Sequence, residues 1–274
     1  MSRFSNILPS ILTLGIFLAP ISGQAHEYWI QPETYRLEQA ENLVADIRVG
    51  MDFGGSRQPY ITKNFVSFTL ADSSSEYVVE GRLGDMPAVD ISTHSEGLQI
   101  LSLFTASSAL TWDNYQEFDE FVNLHGMNWV LARHAERGLP ETGFKEAYTR
   151  FVKSLTAVGT GAGQDRYTGM YFELVAGKNP YTDDISGGMP ITVLFEGQPM
   201  ADKQVDLFYR DTSGALTRLS VQSGAEGTAV VPNLGDGEYM VNVVHMVEPN
   251  AEDIERTEVV WHSLWGSITY AIGV

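Results

Sequence analysis

The chain has 274 residues, of which 17 are basic and 35 are acidic, so its formal net charge at pH 7 is −18. A chain this acidic repels nucleic acids and anionic membrane surfaces, and we expect neither as a partner. The sequence contains no cysteine, which excludes disulfides and thiolate ligands. Imidazole, carboxylate, thioether and amine groups are therefore the donors available to a transition metal.

Residues 1–25 predict a cleavable secretory signal. Arg3 supplies a positive charge, residues 7–21 are mostly apolar, and Gly23-Gln24-Ala25 offers small residues to a signal peptidase. The apolar run is shorter than the ~20 residues that a membrane-spanning helix requires. We therefore expect a periplasmic or secreted protein that begins at His26, is soluble after cleavage and does not insert into the membrane.

The segments after His26 predict strands. Segments 43–49 and 65–70 alternate apolar and polar residues with the period of two that suits a strand with one buried face. Segments 77–79 and 98–104 have strand-like composition. Together they predict a β-rich N-terminal domain over about 26–187.

Between about 112 and 156 the apolar spacing changes to that of helices. Aromatic and aliphatic residues recur at helical intervals over 112–126, and a second helical stretch covers about 128–137. From Phe144 to Leu155 the apolar residues fall on one broad stripe of a helix. The pattern predicts a helical insertion in the N-terminal domain.

A polar, turn-rich stretch over 179–188 predicts a domain boundary. The short strand-like segments that follow, separated by turns at about 8–12 residue intervals, are typical of a β-sandwich. Ser267 to Ile272 alternates cleanly and predicts a final strand. The expected fold is mainly β: a β-rich domain with a helical insertion, followed over 188–274 by a small immunoglobulin-like or prealbumin-like β-sandwich.

Several short stretches follow one another along the chain: His26–Ile30 with Pro32, Arg48–Gly50, Tyr148–Leu155, Phe172–Val175, Asn179–Tyr181, Phe195–Pro199 and Trp261–Trp265. Together and in this order they resemble a periplasmic family of unknown function that is grouped with the NikM-like periplasmic components of nickel and cobalt transport. The resemblance implies a periplasmic, β-rich protein with a metal-linked role and implies no enzymatic activity. It points to one functional residue, His26, at the mature start.

His26 is also the strongest candidate ligand on chemical grounds. After cleavage it carries a free amine beside its imidazole, and nickel, copper and zinc bind well to nitrogen donors. A second histidine would complete a three-nitrogen site. The second ligand is left unassigned: His245, followed by Met246, is one candidate, but its strand parity with Val241 and Val243 favours a buried histidine. His125 is interpreted as a helix-terminal residue.

The leading hypothesis is a non-enzymatic metal-binding or metal-handling accessory protein for nickel, cobalt or copper. Its expected partners are the metal ion and a membrane transport component. One alternative is a β-sandwich recognition module that binds a glycan or a protein without metal, through aromatic residues such as Trp29, Trp112, Trp129, Trp261 and Trp265. The other is a copper-dependent polysaccharide oxidase that uses an N-terminal histidine. We predict no catalytic residue, because neither a phosphate-binding loop nor a G-x-S-x-G elbow is present.

Overall fold

The computed structural model describes residues 26–274, and the predicted secretory signal lies outside the described residues. Strands dominate the described part of the chain. They are β1 (Glu27–Pro32), β2 (Arg36–Leu37), β3 (Asn42–Met51), β4 (Gly54–Gln58), β5 (Phe65–Ala71), β6 (Glu76–Val78), β7 (Val89–Ser92), β8 (Gly97–Thr105), β9 (Ser108–Trp112), β10 (Phe144–Val158), β11 (Phe172–Ala176), β12 (Met189–Phe195), β13 (Gln198–Pro199), β14 (Gln204–Asp211), β15 (Leu216–Gln222), β16 (Thr228–Val231), β17 (Gly237–Val247) and β18 (Val259–Ile272). The predicted mainly β fold is confirmed.

Helices are few and short. They are α1 (Tyr115–Leu124), α2 (Trp129–Glu136), α3 (Ala251–Thr257) and a single 3₁₀ turn (Thr62–Asn64). Helix α1 lies within the predicted stretch 112–126 but starts at Tyr115, because the Asn114 side chain accepts a 3.0 Å hydrogen bond from the Gln116 amide and so satisfies a free N–H of the first turn. None of the helices in the described residues is long and apolar enough to cross a membrane.

Ten strands form one large sheet, with β10 and β18 at its centre. Its order is β15-β14-β17-β18-β10-β8-β5-β6, and β2 and β9 pair with the two ends of β10. Two four-stranded sheets accompany it: β1, β3, β4 and β7 form one, and β11, β12, β13 and β16 form the other. The long central strands β10 and β18 run parallel to each other, whereas β17 and β18 are antiparallel.

The two small sheets lie on opposite faces of the large one. Leu264 and Ile268 of β18 belong to the apolar core that also contains β11 and β12. Residues of the other parity face the opposite way: Trp265 packs with α1, and the Thr269 hydroxyl donates a 2.7 Å hydrogen bond to the Ile30 carbonyl of β1. The β1 sheet and helices α1 and α2 therefore share one face, and the candidate site lies where they meet.

The helix predicted from Phe144 to Leu155 is wrong, because this segment is strand β10. The strand is buried on both sides: Phe151 and Leu155 pack in the core with β11 and β12, whereas Val152 packs in the core with β1 and β3. A strand buried on both faces loses its alternation, and its apolar residues can then match a helical period. The helical part of the predicted insertion 112–156 is limited to α1 and α2.

The predicted boundary near residue 188 does not separate the sheets. Strand β10 pairs with β18, and β11 pairs with β12, so each pair joins a strand before the boundary to one after it. The strands after residue 188 do face each other across one apolar core, but they do not form separate sheets of their own. The final predicted strand, 267–272, is confirmed as the end of the longer β18.

A carboxyl group buried in the large sheet predicts a pH-dependent stability. Glu146 of β10 is fully buried, and it accepts hydrogen bonds from Trp112 Nε1 at 2.7 Å and from Ser263 Oγ at 2.5 Å. Burial raises the pKa of Glu146 from 4.5 to about 7, although both hydrogen bonds oppose the change. The folded state therefore binds the extra proton between these values, and the free energy of unfolding falls as the pH rises through this window.

The difference between the two pKa values of Glu146 corresponds to about 3 kcal/mol of unfolding free energy, which wild type loses between pH 4.5 and pH 7. We expect Glu146→Gln, which cannot titrate, to lack this loss. Urea unfolding of both proteins at pH 5 and pH 8 measures it. Glu226→Gln, at an exposed turn, is the matched control. An unchanged pH dependence in Glu146→Gln would contradict the assignment of the raised pKa to this residue.

Candidate metal centre

His26 lines a cavity of about 290 Å³ between the start of β1, the end of β3 and helix α1. We refer to this cavity as the His26 pocket. Its lining residues are His26, Glu27, Met51, Glu120, Phe121, Leu124, His125 and Trp265. The pocket thus contains two imidazoles, one thioether and two carboxylates, on elements that are far apart in the sequence.

Strand pairing and a glycine turn bring these residues together. Glu27 of β1 pairs with Gly50 of β3, which places Met51 beside His26. His125 follows α1 directly, and Gly126 then reverses the chain with a φ of 66°. A Cβ at Gly126 would lie 2.7 Å from the Gln204 side chain, so glycine is required both for its backbone conformation and for the space.

The His125 ring is buried and held on three sides. Its centroid lies 5.1 Å from Trp265 and 5.3 Å from Phe121, in edge-on contacts with both. Its Nδ1 atom lies 3.5 Å from Asp206 Oδ2, a separation longer than a well-formed hydrogen bond. No other polar partner for Nδ1 exists among the described residues. Because Nδ1 faces Asp206, Nε2 is the nitrogen left for a ligand in the His26 pocket.

Asp206 is equipped to orient this imidazole. Burial alone would raise the pKa of Asp206, but the adjacent His125 imidazole, the hydrogen bond from Ser220 and the charge of Arg218 lower it below its ordinary value. The Ser220 hydroxyl donates to Oδ1 at 2.5 Å, and Gln204 donates to the same oxygen at 2.9 Å. Asp206 is therefore an anchored carboxylate behind a histidine, an arrangement that metal-binding proteins use to fix the orientation of a ligand ring.

The electrostatics around His26 favour a neutral ring. Partial burial, and then the charge of Arg150, lower the pKa of the His26 imidazole, so its lone pair is available at neutral pH. Arg150 repels a bound cation, but the carboxyl groups of Glu27 and Glu120 in the same pocket oppose that repulsion. Burial raises the pKa of Glu27 to about 7, with smaller contributions from Asp52 and Asp206.

The side chains alone do not complete a metal site. Within residues 26–274, no three His, Asp or Glu side chains form a group that could hold a metal ion. Two imidazoles line the His26 pocket, and one more strong donor is needed for a chelate. Cleavage before His26 would release an amine, which is such a donor. The donor set therefore fits a metal ion when the chain begins at His26.

Residues 23–247 match the model of a protein family described as Domain of unknown function (DUF4198). The chain belongs to this family. No curated protein matches it. Among solved structures, the DUF4198 chain is similar to the crystal structure of a tetra-tandem repeat in the extending region of a large adhesion protein, with 14% identity, 90% of this chain covered and a TM-score of 0.22. It spans 49% of that chain's length.

His245 of the DUF4198 chain does not share the pocket with His26. It lies on β17 opposite Leu264 of β18, on the face that packs against β11 and β12, and its ring contacts Phe172 and Phe195. The ten-stranded sheet separates it from the His26 pocket. Burial and the nearby Lys203 ammonium lower the pKa of His245 to about 4. The structure therefore does not bring the candidate ligand His245 together with His26, because strand parity places the two residues on opposite faces of the sheet.

Other histidines are engaged elsewhere. His134 is buried, with Nε2 at 3.0 Å from the Pro140 carbonyl and Nδ1 accepting from Trp261 Nε1 at 3.0 Å. His262 lies 2.8 Å from the Thr149 hydroxyl. The histidine that sequence reasoning missed is His125, which it interpreted only as a helix terminus. No local motif joins residues 26 and 125, so the sequence held no direct signal for the pair.

The aromatic residues considered for glycan binding are mostly internal. Trp29, Trp112, Trp261 and Trp265 are each at most 3% exposed, and Trp129 alone of these five is substantially exposed, at 45%. The indole of Trp265 forms a wall of the His26 pocket, and that of Trp261 stacks on His134. These rings stabilise the packing of α1 and α2 on the large sheet.

Proposed function

We propose that this protein is a periplasmic metal-binding accessory protein whose metal ligands are the amine and imidazole of His26 and the imidazole of His125. The observation that carries the proposal is that His26 and His125 line one pocket, with Asp206 behind the His125 ring. Three nitrogens in a pocket that also holds a thioether suit a borderline or soft cation. The metal would be bound without a catalytic step.

Copper is the ion that this donor set favours among nickel, cobalt and copper. Divalent copper binds nitrogen donors more tightly than nickel or cobalt, following the general order of first-row metal affinities. Met51 adds a thioether to the pocket wall, and thioethers prefer copper in its reduced state. The carboxyl groups of Glu27 and Glu120 lower the cost of placing a cation there.

The accessory role in metal uptake follows from the resemblance to the NikM-like periplasmic components and from the predicted secretory signal. Both arguments come from the sequence. They bear on the His26 pocket because cleavage before His26 would free its amine, the third nitrogen ligand beside the two imidazoles. A copper-dependent polysaccharide oxidase would use similar ligands but needs a surface for its polymer. The aromatic rings that line the His26 pocket, Phe121 and Trp265, are buried rather than displayed.

The number of nitrogen ligands tests the proposal. Electron paramagnetic resonance of protein processed at His26 and loaded with one equivalent of divalent copper should show coupling to three nitrogens. His125→Gln should reduce the coupling to that of the two His26 nitrogens, while His245→Gln should leave the spectrum unchanged. A spectrum that His125→Gln does not alter would overturn the assignment of His125.

Asp206 should act on copper affinity through His125. We expect Asp206→Asn to weaken copper binding about 10- to 100-fold, the effect usual for losing a carboxylate behind a ligand histidine. Asp46→Asn is the matched control, since Asp46 is also a buried carboxylate but pairs with Arg48 and Arg57 away from the pocket. Competition titration with a chelator measures both constants, and equal effects from the two substitutions would contradict the role of Asp206.

A further inference from the structure

Three ionisable side chains meet in the interior between β10 and β11, away from the His26 pocket. The side chains of Lys153, Asp165 and Glu173 are each 0% exposed. Lys153 Nζ lies 2.7 Å from Asp165 Oδ1 and 3.0 Å from Glu173 Oε1. We refer to these three residues as the buried lysine cluster.

The two carboxylates of the cluster are held differently. Glu173 accepts hydrogen bonds from the amides of Thr168 and Met170 and from the Thr168 hydroxyl, at 2.9 to 3.1 Å, so the orientation of its carboxylate is fixed. Asp165 accepts from the Ala176 amide through Oδ2 at 2.8 Å. Its Oδ1 is close to Lys153 Nζ but lacks hydrogen-bond geometry with any partner in the described part of the chain.

One ammonium therefore faces two carboxylates in a site without solvent contact. Burying these charges is expensive, and only part of the cost is recovered by their attraction. Lys153 Nζ also donates a 2.9 Å hydrogen bond to the Arg166 carbonyl, which fixes its position. Because Nζ and Asp165 Oδ1 are 2.7 Å apart, a proton can pass directly from the ammonium to the carboxylate and leave a neutral amine beside a neutral acid. Phe151 and Leu155, the same-parity neighbours of Lys153 on β10, belong to the apolar core. A neutral amine held against a carboxylic acid is a reactive pair.

We propose that Lys153 and Asp165 condense to an intramolecular isopeptide bond, with Glu173 carrying the proton. The Lys153 Nζ lone pair attacks Asp165 Cγ and forms the C–N bond. Glu173 accepts a proton from Nζ and passes it to the departing oxygen of Asp165, so that one C–O bond breaks and one water leaves. The net change is amine plus acid to amide plus water, Glu173 ends as it began, and no oxidant or cofactor takes part.

An isopeptide bond would stabilise this fold in the way that a disulfide stabilises other exported proteins. The sequence contains no cysteine, so a disulfide staple is not available to it. The bond would join the centre of β10, a central strand of the large sheet, to the segment that leads into β11 of the small sheet. It would thus connect two sheets covalently, independently of metal binding at His26.

Peptide mapping of the denatured wild-type protein tests the bond. Trypsin cuts after unmodified lysine, so an uncrosslinked chain yields peptides 151–153 and 154–166. The isopeptide blocks cleavage at Lys153 and yields the single peptide 151–166, lighter than its sequence by one water, about 18 Da. A succinimide at Asp165 also loses water but leaves the Lys153 cut intact. Recovery of the two separate peptides at their sequence masses would overturn the proposal.

Three variants assign the roles. Asp165→Asn should still crosslink but with loss of ammonia, about 17 Da, because the leaving group changes. Glu173→Gln, with its fold checked by circular dichroism, should give the two separate peptides, since it cannot accept the proton. Glu173→Asp keeps the charge on a shorter side chain and should lower the crosslinked fraction. Complete crosslinking in both Glu173 variants would overturn the assignment of Glu173 as proton carrier.

Discussion

Extending the chain in front of His26 should raise the dissociation constant for divalent copper at least ~100-fold, which corresponds to about 3 kcal/mol of binding free energy. A Gly-Ser-Gly-Ser extension turns the His26 amine into an amide, which is a far poorer donor at neutral pH. It also moves the new amine away from the His26 pocket. The pocket itself keeps both imidazoles, so the loss reports on the amine alone.

Calorimetric titration of protein secreted with its natural signal is the measurement, after mass spectrometry has confirmed that the chain starts at His26. If the authentic terminus binds neither copper nor nickel, the metal hypothesis fails. A recognition module that needs no metal is then the better interpretation.

Replacing His125 should weaken copper binding about as strongly, by ~100-fold, because a chelate of three nitrogens is reduced to two. His125→Gln is the suitable variant, since the glutamine amide can still donate to Asp206 and so preserves the buried hydrogen-bonding group. This substitution acts 99 positions away from His26 in the sequence, and the tertiary structure alone predicts its effect on the same ion.

His245→Gln separates this prediction from a general effect of losing a histidine. His245 is half-buried and faces the other side of the ten-stranded sheet, so copper affinity should stay within about 2-fold of wild type. Thermal unfolding of both variants accounts for any loss of folded protein. A loss of affinity in His245→Gln with none in His125→Gln would reverse the assignment of the second ligand.

Strand patterns were readable in the sequence where apolar and polar residues alternate along the strand. Segment 43–49 alternates and forms most of β3, and 267–272 forms the end of β18. The pattern failed at β10, where Phe151 and Val152 are neighbours that both lie in cores, one on each face. The apolar sequence there carries no period of two, and a helical spacing arises by coincidence.

The domain division failed for a related reason. A polar, turn-rich stretch before residue 188 does interrupt the chain, but hydrogen bonding between strands is decided by neighbours in space. Strands β10 and β18 are paired although about a hundred residues separate them in the chain, as in Lys145 with Val259. Loop closure costs little more free energy for a long connection than for a short one, so a strand can pair with a partner far away in the sequence. The composition of the residues around a strand does not reveal which distant strand that is.

The sequence by itself predicted the mainly β class, a helix that overlaps α1, and His26 as a candidate ligand, because alternation, helical spacing and the pattern of a cleavage site are all local properties. The tertiary structure decided which histidine can join it. His125 and His245 look alike as single residues, but a sheet displays successive side chains on opposite faces. That parity places His245 on the opposite face of the ten-stranded sheet, and the turn at Gly126 helps to place His125 in the His26 pocket.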